Sequence, residues 1–70
     1  METGIRIYPT SIEDRMIIEE VLDYMDMVNE YDEKENCFFI PEAKENCKSL
    51  AHAIDCSFDD LVCEYNIVIS

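Results

Sequence analysis

The sequence predicts a small α+β domain: a two- or three-stranded sheet packed on a long amphipathic helix, with two shorter helices beside it. Three features predict this class. Apolar residues recur at helical spacing from residue 10 to residue 30. Short runs rich in β-branched or aromatic residues, at 5–8, 37–40 and 67–69, have the composition of strands. The chain has one Gly and two Pro in 70 residues, too few for long linkers. That length fits a single domain, 1–70.

Each element has its own local signal. Ile5, Arg6, Ile7 and Tyr8 alternate after Gly4 and stop at Pro9, so a first strand is expected. Thr10 and Glu13 have capping-box spacing, with Thr10 as the N-cap. Asp14 adds a second acid in the first turn, where the helix dipole favours it. The spacing then predicts helix to about Tyr31. At ~100° per residue, Tyr24, Ile17, Val28, Val21, Met25, Ile18 and Leu22 form one apolar arc, the expected core face. Residues 32–36 have no apolar member and are expected to be a turn or frayed helix end. Cys37, Phe38, Phe39 and Ile40 are the expected second, buried strand. Pro41 suits the first turn of a second helix, on which Ala43, Cys47, Leu50, Ala51 and Ile54 share a face. Lys44, Lys48 and His52 share another, a basic strip expected to balance charge beside the acidic helix. Ser57 and Asp60 predict the cap of a third helix, with Phe58, Leu61, Val62 and Tyr65 as its stripe. Asn66 would end it, and 67–69 would form the last strand.

Composition excludes several function classes. Seventeen acids against five bases give a formal net charge of −12. Direct nucleic-acid binding needs a basic patch and is not expected; nor is binding to anionic membranes. No apolar run approaches the ~20 residues that span a bilayer. The first ten residues lack the apolar core of a secretory leader, so a cytoplasmic location is expected. The four Cys include no C-x-x-C pair, and there is one His. Buried free thiols are expected, with no metal or other cofactor. A Gly-rich phosphate loop and EF-hand spacing are absent, and His52 has no identifiable catalytic partner, so no enzyme is expected. The helix-turn-helix-like apolar pattern at 50–61 would present Asp59, Asp60 and Glu64 to phosphates, which repulsion forbids. Solubility alone is the simplest account of the charge.

One pattern goes beyond solubility. On the expected long helix, Glu19, Asp23, Asp26 and Glu30 fall in a stripe opposite the apolar arc. Glu19/Asp23 and Asp26/Glu30 are like-charge i,i+4 pairs, each costing a few tenths of a kcal/mol. Between Glu13 and Glu35 ten acids face only Arg15 and Lys34. A helical stripe from Glu19 to Glu30 would span ~16 Å, with carboxylates ~5–6 Å apart. The axial rise along one nucleic-acid strand is ~3.4 Å. Met16 and Met27 are expected beside the stripe.

Small size, a charge of −12 and the clustering of Glu19, Asp23, Asp26, Glu30, Asp32 and Glu33 resemble the small acidic inhibitors of phages and mobile elements, of the anti-CRISPR or DNA-mimic type. The resemblance implies stoichiometric, non-catalytic blocking of a basic nucleic-acid-binding protein. The expected partner-binding residues are Glu19, Glu20, Asp23, Asp26, Met27, Glu30, Asp32, Glu33, Asp59, Asp60 and Glu64. A second copy of the chain is a further candidate partner. The competing expectation is a small cytosolic adaptor or regulatory subunit that docks through an apolar face.

Overall fold

The computed structural model describes residues 3–59 and 63–69. Alternation in β1 (Gly4–Pro9) sends Ile5 and Ile7 to one face, where both are fully buried. β3 (Cys37–Pro41) and β4 (Tyr65–Ile69) flank β1 antiparallel, and β2 (Glu30–Asp32) pairs with the far side of β3. The order across the sheet is β2-β3-β1-β4. Register puts Ile5 opposite Ile40 and Ile69, and Ile7 opposite Phe38 and Ile67, so these side chains share a face.

Two helices cover that face. α1 (Ile12–Tyr24) contributes Ile18 and Leu22, while α2 (Cys47–Phe58) contributes Cys47, Ile54 and Phe58. These five join Ile5, Ile7, Phe38 and Ile40 in one core. The element sequence β-α-β-β-α-β, with β1 and β3 central and both helices on one side, is the ferredoxin-like split β-α-β arrangement. Gly4 is required by close approach. A Cβ there would lie 2.9 Å from two Phe39 ring carbons and would meet the Ile40 carbonyl oxygen.

The α+β class stands, but the sheet has four strands and the helices differ from expectation. The long helix predicted to reach Tyr31 ends at Tyr24. Asp26 adopts a left-handed φ of 56°. Its N–H donates to the Asp23 carbonyl at 3.0 Å, and the Met27 N–H donates to the Leu22 carbonyl at 3.1 Å. These two bonds are the Schellman pattern, with Asp in place of the usual Gly. Tyr24 and Val28, expected in the core, are 91% and 76% exposed. Ser11, not Thr10, is the N-cap; its Oγ accepts from the Asp14 N–H at 3.1 Å.

Glu30, Tyr31 and Asp32 are strand, not helix. Their hairpin to β3 turns on Asp32, whose carboxylate accepts the Lys34 and Glu35 N–H groups at 2.9 and 3.3 Å. Asn36 supplies a second φ of 56°. Pro41 ends β3 instead of opening a helix, and a single 3₁₀ turn (Lys44–Asn46) precedes α2. No separate helix opens at Ser57, because α2 runs through it to Phe58. Asp60, Leu61 and Val62, placed on the expected third helix, lie outside the described residues. Phe58 and Tyr65 do meet, edge to face at 5.1 Å, but from α2 to β4.

Candidate functional site

Folding leaves α1 with one face turned away from the sheet. Ile18 and Leu22 point inward, and Glu13, Met16, Glu20, Asp23 and Tyr24 lie a third to half a turn away, with Ile12 and Glu19 flanking them about a quarter turn from the core. All seven are exposed. Met16 is 61% exposed and sits amid Glu13, Glu19 and Glu20 one turn away and Asp23 two turns away. No Lys or Arg is among them. α1 has two acids in its first turn and no base in its last. Its one base, Arg15, is drawn to the side, with its guanidinium 3.9 Å from the centre of the Tyr31 ring.

The structure divides the acids expected to form one stripe. Glu19, Glu20 and Asp23 stay together on α1. Asp26 follows in the Schellman turn, exposed. Glu30 is not on the helix. It pairs in register with Phe39, and with Asp32 it points to the sheet face opposite the helices. There the guanidinium of Arg6 lies 4.8 Å from the centre of the Phe39 ring. Glu33 sits in the hairpin turn, and Asp59 follows the last turn of α2. Glu64 is exposed beside the start of β4. Met27, expected at the interface, is partly buried against the core. Ile12 and Tyr24 join the α1 face instead. Tyr24 lies at the border of its helical arc, and that border position is the signal for its exposure.

Several acids have work in the fold. Asp14 accepts the hydroxyls of Thr10 and Ser11 at 2.7 and 2.8 Å and the Glu64 N–H at 3.1 Å, tying α1 to the entry of β4. These bonds, led by the Thr10 hydroxyl, hold its carboxyl below the ordinary aspartate range. Asp55 accepts the Tyr65 hydroxyl at 2.7 Å. Burial first, and then that bond, push the Tyr65 phenol up. Glu42 accepts the Ala43 N–H at 2.9 Å. Glu19, Glu20 and Asp23 have no comparable task among the described residues.

All four cysteines are free thiols; Cys37 and Cys47 are buried and Cys56 is exposed. Burial, then the charges of Asp32 and Glu35, push the Cys37 thiol up. Cys56 Sγ lies 3.7 Å from His52 Nε2, one turn away on α2. Among the described residues, no group of three or more His, Cys, Asp and Glu is placed to hold a metal ion. No helix among them is long and apolar enough to cross a membrane. No known family model, curated protein or solved structure matches the chain.

Proposed function

We propose that the protein is a non-catalytic acidic inhibitor whose α1 face occupies the basic, nucleic-acid-binding surface of a partner protein. The observation that carries this reading is the base-free cluster Glu13, Glu19, Glu20 and Asp23 around exposed Met16. Glu13 suits the dipole in the first turn, but the fold gains nothing from the rest: Glu19 and Asp23 repel at i,i+4, and Asp23 opposes the dipole at the helix C-terminus. From Glu13 to Asp23 the face runs ~15 Å, long enough to lie along a groove shaped for several phosphates. Its charge would steer it to a basic surface. Ile12, Met16 and Tyr24 would add contact area once docked, as apolar and aromatic side chains do at interfaces.

The same exposed apolar residues favour the second reading, an adaptor that docks mainly by burial. Salt separates the two. The test is capture of the partner from host lysate at graded ionic strength, followed by competition with nucleic acid. The inhibitor reading expects binding that falls steeply with salt and nucleic acid that displaces the protein. Salt-insensitive binding without competition would support the adaptor.

A further inference from the structure

We infer that the protein associates with a second copy of itself through the outer edge of β4, forming an antiparallel, two-fold dimer with a continuous eight-stranded sheet. β4 is last in the sheet order, and no described strand pairs with its outer side. It is five residues long and carries no charge, and Val68 and Ile69 are 45% and 43% exposed. A strand edge of this kind is a template for pairing. The opposite edge, β2, has three residues, two of them acids, and is protected against such pairing.

The flank of α2 above β4 selects the second copy as occupant. At ~100° per residue, Lys48, His52, Asp55 and Asp59 fall within about 60° of one another, roughly a quarter turn from the core-facing Cys47, Ile54 and Phe58. This flank lies over the strand edge. Asp55 reaches the Tyr65 hydroxyl at one end of β4, and Lys44, Glu45 and Lys48 border a depression with Ile69 at the other. Two lysines against Glu45 leave that end net positive, while Asp55 and Asp59 make the other acidic, and the flank runs antiparallel to β4. A two-fold axis through Ile67 exchanges the ends. Lys48 of each copy then meets Asp55 of the other, and Lys44 meets Asp59. Lys48 to Asp55 is ~10 Å along the helix and Tyr65 to Ile69 ~14 Å along the strand, a difference that the long lysine side chain spans.

The spacing between layers agrees too. α2 packs on both β1 and β4, so its axis lies about half a strand spacing inside β4. The two-fold lies half a spacing outside it. With strands ~4.8 Å apart, the two α2 axes come to ~10 Å, an ordinary helix-packing distance. A two-fold perpendicular to the sheet keeps both helix layers, and both α1 faces, on one side.

Sedimentation equilibrium of the purified protein over a wide concentration range tests this. Ionic strength near 0.15 M is suitable, where the ~8 Å Debye length screens repulsion between the remote acids. The expected result is a reversible monomer–dimer equilibrium. Lys44→Glu or Asp59→Lys alone should weaken it about tenfold, since each change makes two attractive contacts repulsive. The double variant should return to within a few-fold of wild type. Amide exchange at 65–69 should slow with rising concentration. A wild type monomeric throughout would overturn the inference, as would a dimer indifferent to the single reversals or one not restored by the double variant.

Discussion

α1 and α2 perform the same structural task with opposite surfaces. Both are three to four turns long, both cover the same side of the sheet, and both bury Ile or Leu against Ile5 and Ile7. Outside the core they diverge. α2 has Lys48 and Asp55 on one flank, with the nearby Lys44 and Asp59 extending the balance. α1 has only acids on its outward face, interleaved with exposed Ile12, Met16 and Tyr24. Equal packing duty with unequal surface charge means that packing did not select the charge. That is why we propose the α1 face as the surface that meets a partner.

The largest effects should come from what the helices share. Leu22→Ala and Ile54→Ala each remove a fully buried side chain and should cost ~2–5 kcal/mol. Urea denaturation measures both. A negligible loss for either would mean that the two helices do not share one core. Next come features of α1 alone. Ser11→Ala removes the N-cap acceptor and should cost ~0.5–2 kcal/mol, visible as a lowered Tm.

Asp14 adds a pH dependence. Its folded pKa lies below the unfolded value of ~3.9. Its contribution is complete above that value and is lost as pH falls through the folded pKa. Asp14→Asn should therefore flatten the decline of stability below about pH 4. Superimposable acid-unfolding curves would show that the Thr10–Ser11–Glu64 connection carries no stability. Thiol reactivity separates the layers without mutation. Cys56 should react with a thiol reagent in the native protein, while Cys37 and Cys47 should need unfolding first. Uniform rapid labelling would contradict the burial of the latter two.

The sequence disclosed what depends on local pattern. The strands around Ile5–Ile7, Cys37–Ile40 and Ile67–Ile69 were legible because β-branched and aromatic runs bounded by Pro or polar residues admit few alternatives. The start of α1 was legible within one residue. Two adjacent hydroxyls competed for the cap, and the contact of Thr10 with Asp14 and Glu64, fifty residues away in sequence from Asp14, favours Ser11. The end of α1 was hidden because Asp26 stands where a Gly would have announced the turn. Acids near the expected helix end are opposed by the dipole there, and the chain leaves the helix before them. β2 has only three residues, and Tyr31 continued the helical spacing by coincidence.

The candidate site was legible in part for the same reason. Glu19, Glu20 and Asp23 lie well inside the helix and kept their face. Asp26 and Glu30 lay beyond the misplaced end and moved elsewhere. Phe58 and Tyr65, expected on one stripe of a third helix, belong to α2 and β4 and meet by tertiary contact, which helical spacing alone imitates.

The smallest expected change in stability accompanies the most direct test of the central claim. Glu20→Lys with Asp23→Lys leaves the core untouched, gives Glu19 a lysine partner one turn on, and puts a base in the last turn of α1. Stability should be unchanged or rise by a few tenths of a kcal/mol. Binding to the captured basic partner should fall at least about tenfold, with a shallower salt dependence, because two attractive contacts become repulsive. Titrating wild type and this variant against that partner at two salt concentrations is the deciding measurement. A folded variant that binds as tightly as wild type, with the same salt slope, would contradict the assignment of the α1 face.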